Sequence, residues 1–103
     1  MADYGTYNFP DIRSGDILFE IDFSFDAHHA SPISKVEFIT DYSGYVLSSD
    51  DPSQVVIDDA TNWQFHIPQQ VITWVAGSYK IRMSITCVDG FKHTYTYGAW
   101  NIS

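Results

Sequence analysis

The chain has 103 residues, 17% of them aromatic, with a formal charge of −8 from 13 acidic and 5 basic side chains. That length supports one domain with one core, and five scattered cations cannot displace counterions along a phosphate backbone, which argues against direct nucleic-acid binding. The one cysteine, Cys87, permits no intrachain disulfide, and its place on an apolar strand face predicts a buried, inert thiol.

Nowhere do 18 consecutive apolar residues occur, and the first residues lack a basic segment followed by an apolar one. No membrane partner is expected, and synthesis and folding are expected in a cytoplasm. Residues 4–9 read as a short aromatic strand closed by Pro10, and residues 1–9 as a possible arm or edge strand. The turn Ser14-Gly15-Asp16 leads into residues 17–25. There Ile17, Phe19, Ile21, Phe23 and Phe25 form the face expected to be buried, and Leu18, Glu20, Asp22 and Ser24 the wet one. After a loop at residues 26–32, residues 33–40 form a strand with Val36 and Phe38 on one side and Lys35, Glu37 and Ile39 on the other.

Residues 42–47 read as a further short strand, followed by a loop at 48–53 whose Pro52 and Ser/Asp cluster favour turns over ladder pairing. Residues 55–57 and 63–67 are short strands around a turn at 58–62. Residues 68–74 fit either a helical turn started by Pro68 or a plain crossover. The chain then closes with a hairpin over residues 77–103, marked by Asp89-Gly90 between alternating apolar segments.

A two-residue loop at Asp89-Gly90 pairs Val88 with Phe91, Ile85 with Thr94, Ile81 with Gly98 and Tyr79 with Trp100. It buries Tyr79, Ile81, Met83, Ile85, Cys87, Trp100 and Ile102, and leaves Phe91, His93, Tyr95 and Tyr97 on the opposite face with Arg82. A three-residue loop shifts the pairing by one, which turns the aromatic stripe into the core and sends Trp100 and Ile102 outward, because strand side chains alternate with period 2. Under the first register the stripe Phe91, His93, Tyr95 and Tyr97, with Arg82, is the expected partner interface, since large aromatics give contact area at low entropic cost.

Short strands with turn signals every 8 to 12 residues predict an all-β fold, an immunoglobulin-like β-sandwich of about seven antiparallel strands spanning residues 1–103 as one domain. Tyr79 is either the tyrosine of a sandwich corner, bonded back to upstream backbone, or a core aromatic.

Four pieces in order carry a family resemblance: Ser14-Gly15-Asp16 before a Phe-rich strand; Ser31-Pro32-Ile33; Trp74-Val75-Ala76-Gly77-Ser78-Tyr79; and Val88-Asp89-Gly90 followed by Thr94-Tyr95 and Gly98. Across residues 7–102 the chain resembles the small immunoglobulin-like domains of tailed-bacteriophage structural proteins, including the N-terminal domain of baseplate upper proteins. The resemblance implies a virion component without catalysis, a tail or baseplate accessory or a capsid decoration protein, whose partners are other virion proteins or copies of itself. The chain ends at Ser103 after its last strand, without the long C-terminal extension of baseplate proteins.

Other constellations are weaker. His28-His29 with Asp26 is a histidine cluster, but adjacent residues on an extended chain point apart, and a metal site needs three or four converging ligands. Asp50-Asp51 and Asp58-Asp59 lack the pattern of a calcium loop and read as turn-forming carboxylates. Glu20 and Glu37 alternate with core positions as solvated strand charges. No catalytic residue, cofactor or metal is expected. The alternative function is a carbohydrate-binding module using His93, Tyr95 and Tyr97 with Gln69 and Gln70.

Overall fold

The structure, a computed structural model, describes residues 9–25, 29–42 and 44–103, apart from the side chains of Thr96 and Tyr97. The expected strand at residues 4–9 and the arm at 1–9 lie outside the described residues, Phe9 excepted. So do Asp26 and His28 of the expected histidine cluster.

The described chain is all-β: β1 (Ile17–Leu18), β2 (Ile21–Ser24), β3 (Ile33–Thr40), β4 (Val46–Ser48), β5 (Val56–Asp59), β6 (Gln64–Ile67), β7 (Gln70–Val71), β8 (Gly77–Cys87) and β9 (Lys92–Ile102). All ladders between these strands are antiparallel. One layer has the order β2-β6-β5, prolonged by β1-β7; the other has β4-β3-β8-β9. The β1/β2 and β6/β7 pairs are two strands, each interrupted once at facing positions, Leu18↔Gln70 giving way to Ile21↔Ile67. Pro68 sits in that gap, where a residue without an N–H cannot serve the ladder. Residues 68–74 hold the short strand β7 and no helical turn.

The gap corrects the expected alternation of residues 17–25. Leu18 is fully buried, whereas Ile17 and Phe19 are exposed, Phe19 to 73%. Two residues between β1 and β2 point outward in succession, and the apolar side changes parity there. Phe23 and Phe25 then face inward as expected. A bulge between Ile33 and Lys35 does the same on β3, so that Ile33 and Val36 are both buried.

The two layers meet through aromatic rings. Phe23 lies 5.2 Å from Phe38 and stacks 5.2 Å from Phe65. Burial at about 25 cal/mol per Å² makes each such ring worth a few kcal/mol. Trp63, at the β5–β6 turn, has a left-handed backbone (φ 55°) that costs an aromatic residue about 1–2 kcal/mol. Complete burial and an indole N–H donated to the Ser31 carbonyl (3.0 Å) hold it there.

Residues 9–14 run beside the free edge of β9. The Phe9 N–H donates to the Ala99 carbonyl, the Ile12 N–H to Asn101, and the Ser103 N–H to Ile12, around a parallel bridge Ile12↔Ile102. Trp100 donates its indole N–H to the Pro10 carbonyl at 3.0 Å. Of the two readings of Tyr79 the structure has the corner one: the ring is buried, and its hydroxyl donates to the Val75 carbonyl four residues upstream.

The hairpin register is mixed. Tyr79↔Trp100 and Ile81↔Gly98 pair as the two-residue loop requires. Nearer the turn the pairs are Arg82↔Thr96, Met83↔Tyr95, Ser84↔Thr94, Ile85↔His93 and Thr86↔Lys92, as a three-residue loop requires. A bulge between Ile81 and Arg82 pairs, with Tyr97 as the extra residue of β9, reconciles them.

Candidate interaction surface

The turn explains the register. The Gly90 N–H donates to the Cys87 carbonyl (3.0 Å) and the Cys87 N–H to the Phe91 carbonyl (2.7 Å), enclosing Val88, Asp89 and Gly90 as a three-residue loop. Gly90 takes the left-handed position (φ 92°) that ends such loops. Asp89 spends one carboxylate oxygen on the Phe91 N–H at 2.9 Å and the other on the His29 ring at 2.9 Å. These two bonds, the His29 one foremost, hold its carboxyl below the usual aspartate range.

The expected interface therefore turns over. Directly opposed residues share a face, so Phe91, His93 and Tyr95 project on the same side as Cys87, Ile85 and Met83. The bulge lets Trp100 and Ile102 face that side too. Arg82 projects from the opposite, outer side, exposed beside Ile39 and Thr96. It is not part of the aromatic stripe. The Tyr97 side chain lies outside the described residues.

Along the inward stripe burial falls away toward the turn. Tyr95 is half-buried against Phe25 (5.7 Å), whereas His93 and Phe91 are exposed, Phe91 to 37%. His29 stacks on Phe91 at 4.0 Å and 11°, and His93 lies 4.3 Å from Tyr95. The result is a file of rings, His29, Phe91, His93 and Tyr95, continuing the core-side surface of β9 from the Phe25 contact toward the turn. The sequence signal that finds it is Val-Asp-Gly read as three loop residues.

A second aromatic file has no local signature in the sequence. Tyr42, exposed, stacks on Tyr45 (6.1 Å, 9°), and Tyr45 on Trp74 (5.0 Å, 2°); Trp74 meets Trp100 and Tyr79 edge-on. Tyr45 accepts the Val75 N–H on its hydroxyl oxygen at 3.2 Å. These residues come from the β3–β4 turn and the approach to β8, segments 30 residues apart that no local periodicity links.

The carboxylates are spent locally. Asp51 accepts from Ser53, and Asp59 from the backbone and amide of Asn62, and these bonds depress both carboxyls. Asp50 holds Lys35 at 2.8 Å. Asp58 grips the His66 Nδ1 with both oxygens (2.7 and 2.9 Å), which raises the His66 pKa against a smaller opposing cost of burial. Glu20 and Glu37 lie on different layers, Glu20 near His66 (3.9 Å) and Glu37 beside Lys35 (3.7 Å). Among the described residues no three His, Cys, Asp or Glu side chains are grouped to hold a metal ion. Cys87 is buried, and burial pushes its thiol up.

The carbohydrate constellation is not brought together. Gln70 pairs with Leu18, and its amide is spent on the Gln54 and Pro68 carbonyls. Tyr95 meets Phe25, beyond the Ser24↔Gln64 pair at the other end of the same layer.

Comparisons with protein-family models, with curated proteins and with solved structures each found no match.

Proposed function

We propose that this domain is a structural component that works by protein–protein contact, and that it serves a tailed-phage virion as a tail, baseplate or capsid-surface protein. One observation carries the contact reading: the ring file His29, Phe91, His93 and Tyr95 extends the core-side surface of β9 into solvent. Rings with polar tips, fixed by stacking, lose little entropy when a partner covers them. The virion assignment rests on the resemblance in the sequence. It is supported by a strand order that suits an immunoglobulin-like sandwich, with residues 9–14 lying parallel to the last strand.

Phe91→Ser with His93→Ser should leave the circular dichroism spectrum unchanged and abolish incorporation into purified particles, read by mass spectrometry. Absence of the wild-type chain from particles would sink the virion reading. Glycan-array binding that disappears in the double variant would replace the contact reading with a sugar-binding one.

A further inference from the structure

His66 lies on the central strand of the β2-β6-β5 layer, half-buried on its outer side, between Phe65 and Ile67 that face the core. Both of its ring nitrogens face carboxylates. Nδ1 is 2.7 and 2.9 Å from the two Asp58 oxygens, and Nε2 is 3.9 Å from Glu20. A neutral imidazole has one N–H and one lone pair, so it can donate to only one of these groups and turns a lone pair toward the other. The imidazolium carries an N–H on each side.

The two carboxylates come from opposite edges of the layer. Pairing along β5 runs Val56↔His66 and Ile57↔Phe65, which would next set Asp58 opposite Gln64, but Asp59 takes that place. Asp58 is thus the extra residue of a bulge, and bulges re-aim side chains. Here the carboxylate reaches back along the outer face to His66. Glu20 stands at the interruption between β1 and β2, where Phe19 and Glu20 belong to no ladder. One ring therefore spans from a bulge in one edge strand to a break in the other.

The remaining charges around it are acidic. Asp22 stands directly across on β2, and Asp59 on β5 is taken up by Asn62. No Lys or Arg occurs from residue 14 to 34 or from 36 to 79, so His66 is the one side chain on the strands of this layer that can become a cation.

We infer that His66 is a pH-operated clamp on this layer: protonated, it holds the β5 bulge and the Phe19-Glu20 break together, and neutral, it releases Glu20 and holds β5 more weakly. The clamp lies on the layer opposite β9 and is independent of the aromatic file and of the virion reading. The Asp58 bond foremost, with the charges of Asp58, Glu20 and Asp22, raises the His66 pKa above the ordinary 6.5, against a smaller cost of burial. A folded-state value above the unfolded one means that the stabilisation is fully present below about 6.5. It is lost as the pH rises through the raised value.

Nuclear magnetic resonance of the full chain tests the clamp, with the His66 ring and the backbone amides followed in one pH series. Protection of residues 56–59, corrected for the intrinsic base-catalysed rate, should fall about two- to fivefold as His66 loses its proton, the range of a partly exposed ion pair. Residues 81–85 of the other layer should show no such step. Asp58→Asn should lower the His66 midpoint and remove the step, and Glu20→Gln should lower the midpoint less and leave a smaller step. His66→Gln keeps a donor but cannot change its charge, and should give level protection over the same pH range. Asp11→Asn, which removes a carboxylate beside Asn101 on the other layer, should behave like the wild type.

Protection of residues 56–59 that stays level through the His66 titration overturns the inference, as does an unchanged His66 midpoint in Asp58→Asn. If that variant fails to fold by circular dichroism, the wild-type series and the midpoint of Glu20→Gln decide by the same two readings. Neither failure touches the contact or virion readings.

Discussion

The two halves of the β8–β9 hairpin face the same way and meet different fates. Beyond the bulge, Trp100 and Ile102 are shut in by Trp74, Phe9 and the segment at residues 9–14. Before it, His93 and Phe91 project on the same side and stay exposed. Facing the core is a property of register; being buried is a property of what lies across. The opposite layer reaches Tyr95 with Phe25, and no described ring of it packs against His93 or Phe91. An aromatic surface on a sandwich therefore need not be an outer face. It can be an inner face longer than its cover.

The largest test of that contrast is a matched pair of truncations. Trp100→Ala removes a fully buried indole and its bond to Pro10, and should cost about 3–5 kcal/mol in urea unfolding. Phe91→Ala, on the same face of the same strand, should cost less than about 1 kcal/mol. Equal losses would show the turn-proximal half to be core after all.

A smaller effect is expected from Tyr79→Phe. The ring stays packed against Trp74 and Tyr45, and only the hydroxyl bond to the Val75 carbonyl is lost. The carbonyl belongs to an exposed residue and can turn to water. The cost should be about 1 kcal/mol, seen as a shifted denaturant midpoint at unchanged slope. No change at all would reduce Tyr79 to a packing residue.

Much of this was legible beforehand. The fold class, the position of most strands and the burial of Cys87 follow from alternation and turn chemistry, whereas for Tyr79 they leave a corner role and a plain core role open. What was not legible were three changes of parity: at Phe19-Glu20, at Ser34 and at Tyr97. Period-2 reading assumes an unbroken ladder, and a bulge is one residue that no side-chain pattern announces. At the hairpin this mattered most. Either simple register buried one set of residues at the expense of the other, because neither allowed the loop and the far end to differ in count. The bulge removes that conflict, and the aromatic stripe and Trp100 share a face. Arg82 then parts from the stripe and projects from the outer face.

The smallest effect expected is a pH dependence confined to the turn-proximal half. His29 and Asp89 tie the end of the ring file to the loop through an exposed pair, whereas the Tyr79–Val75 and Trp100–Pro10 bonds join neutral groups. Asp89 is held below its ordinary value, mainly by the His29 bond and then by the Phe91 N–H. A folded-state pKa below the unfolded value of about 3.9 means that its stabilisation is fully present above that value. It is lost as the pH falls through the depressed value. Solvent screening keeps the contribution small. Between pH 5 and 2, Asp89→Asn should therefore show a shallower fall in urea midpoint than the wild type. Amide protection near residues 88–93 should weaken in acid before that of residues 98–102. An Asp89→Asn variant with the wild-type slope would mean that the ion pair does not hold the exposed rings in place. The stacking of His29 on Phe91 would then have to hold that end of the file.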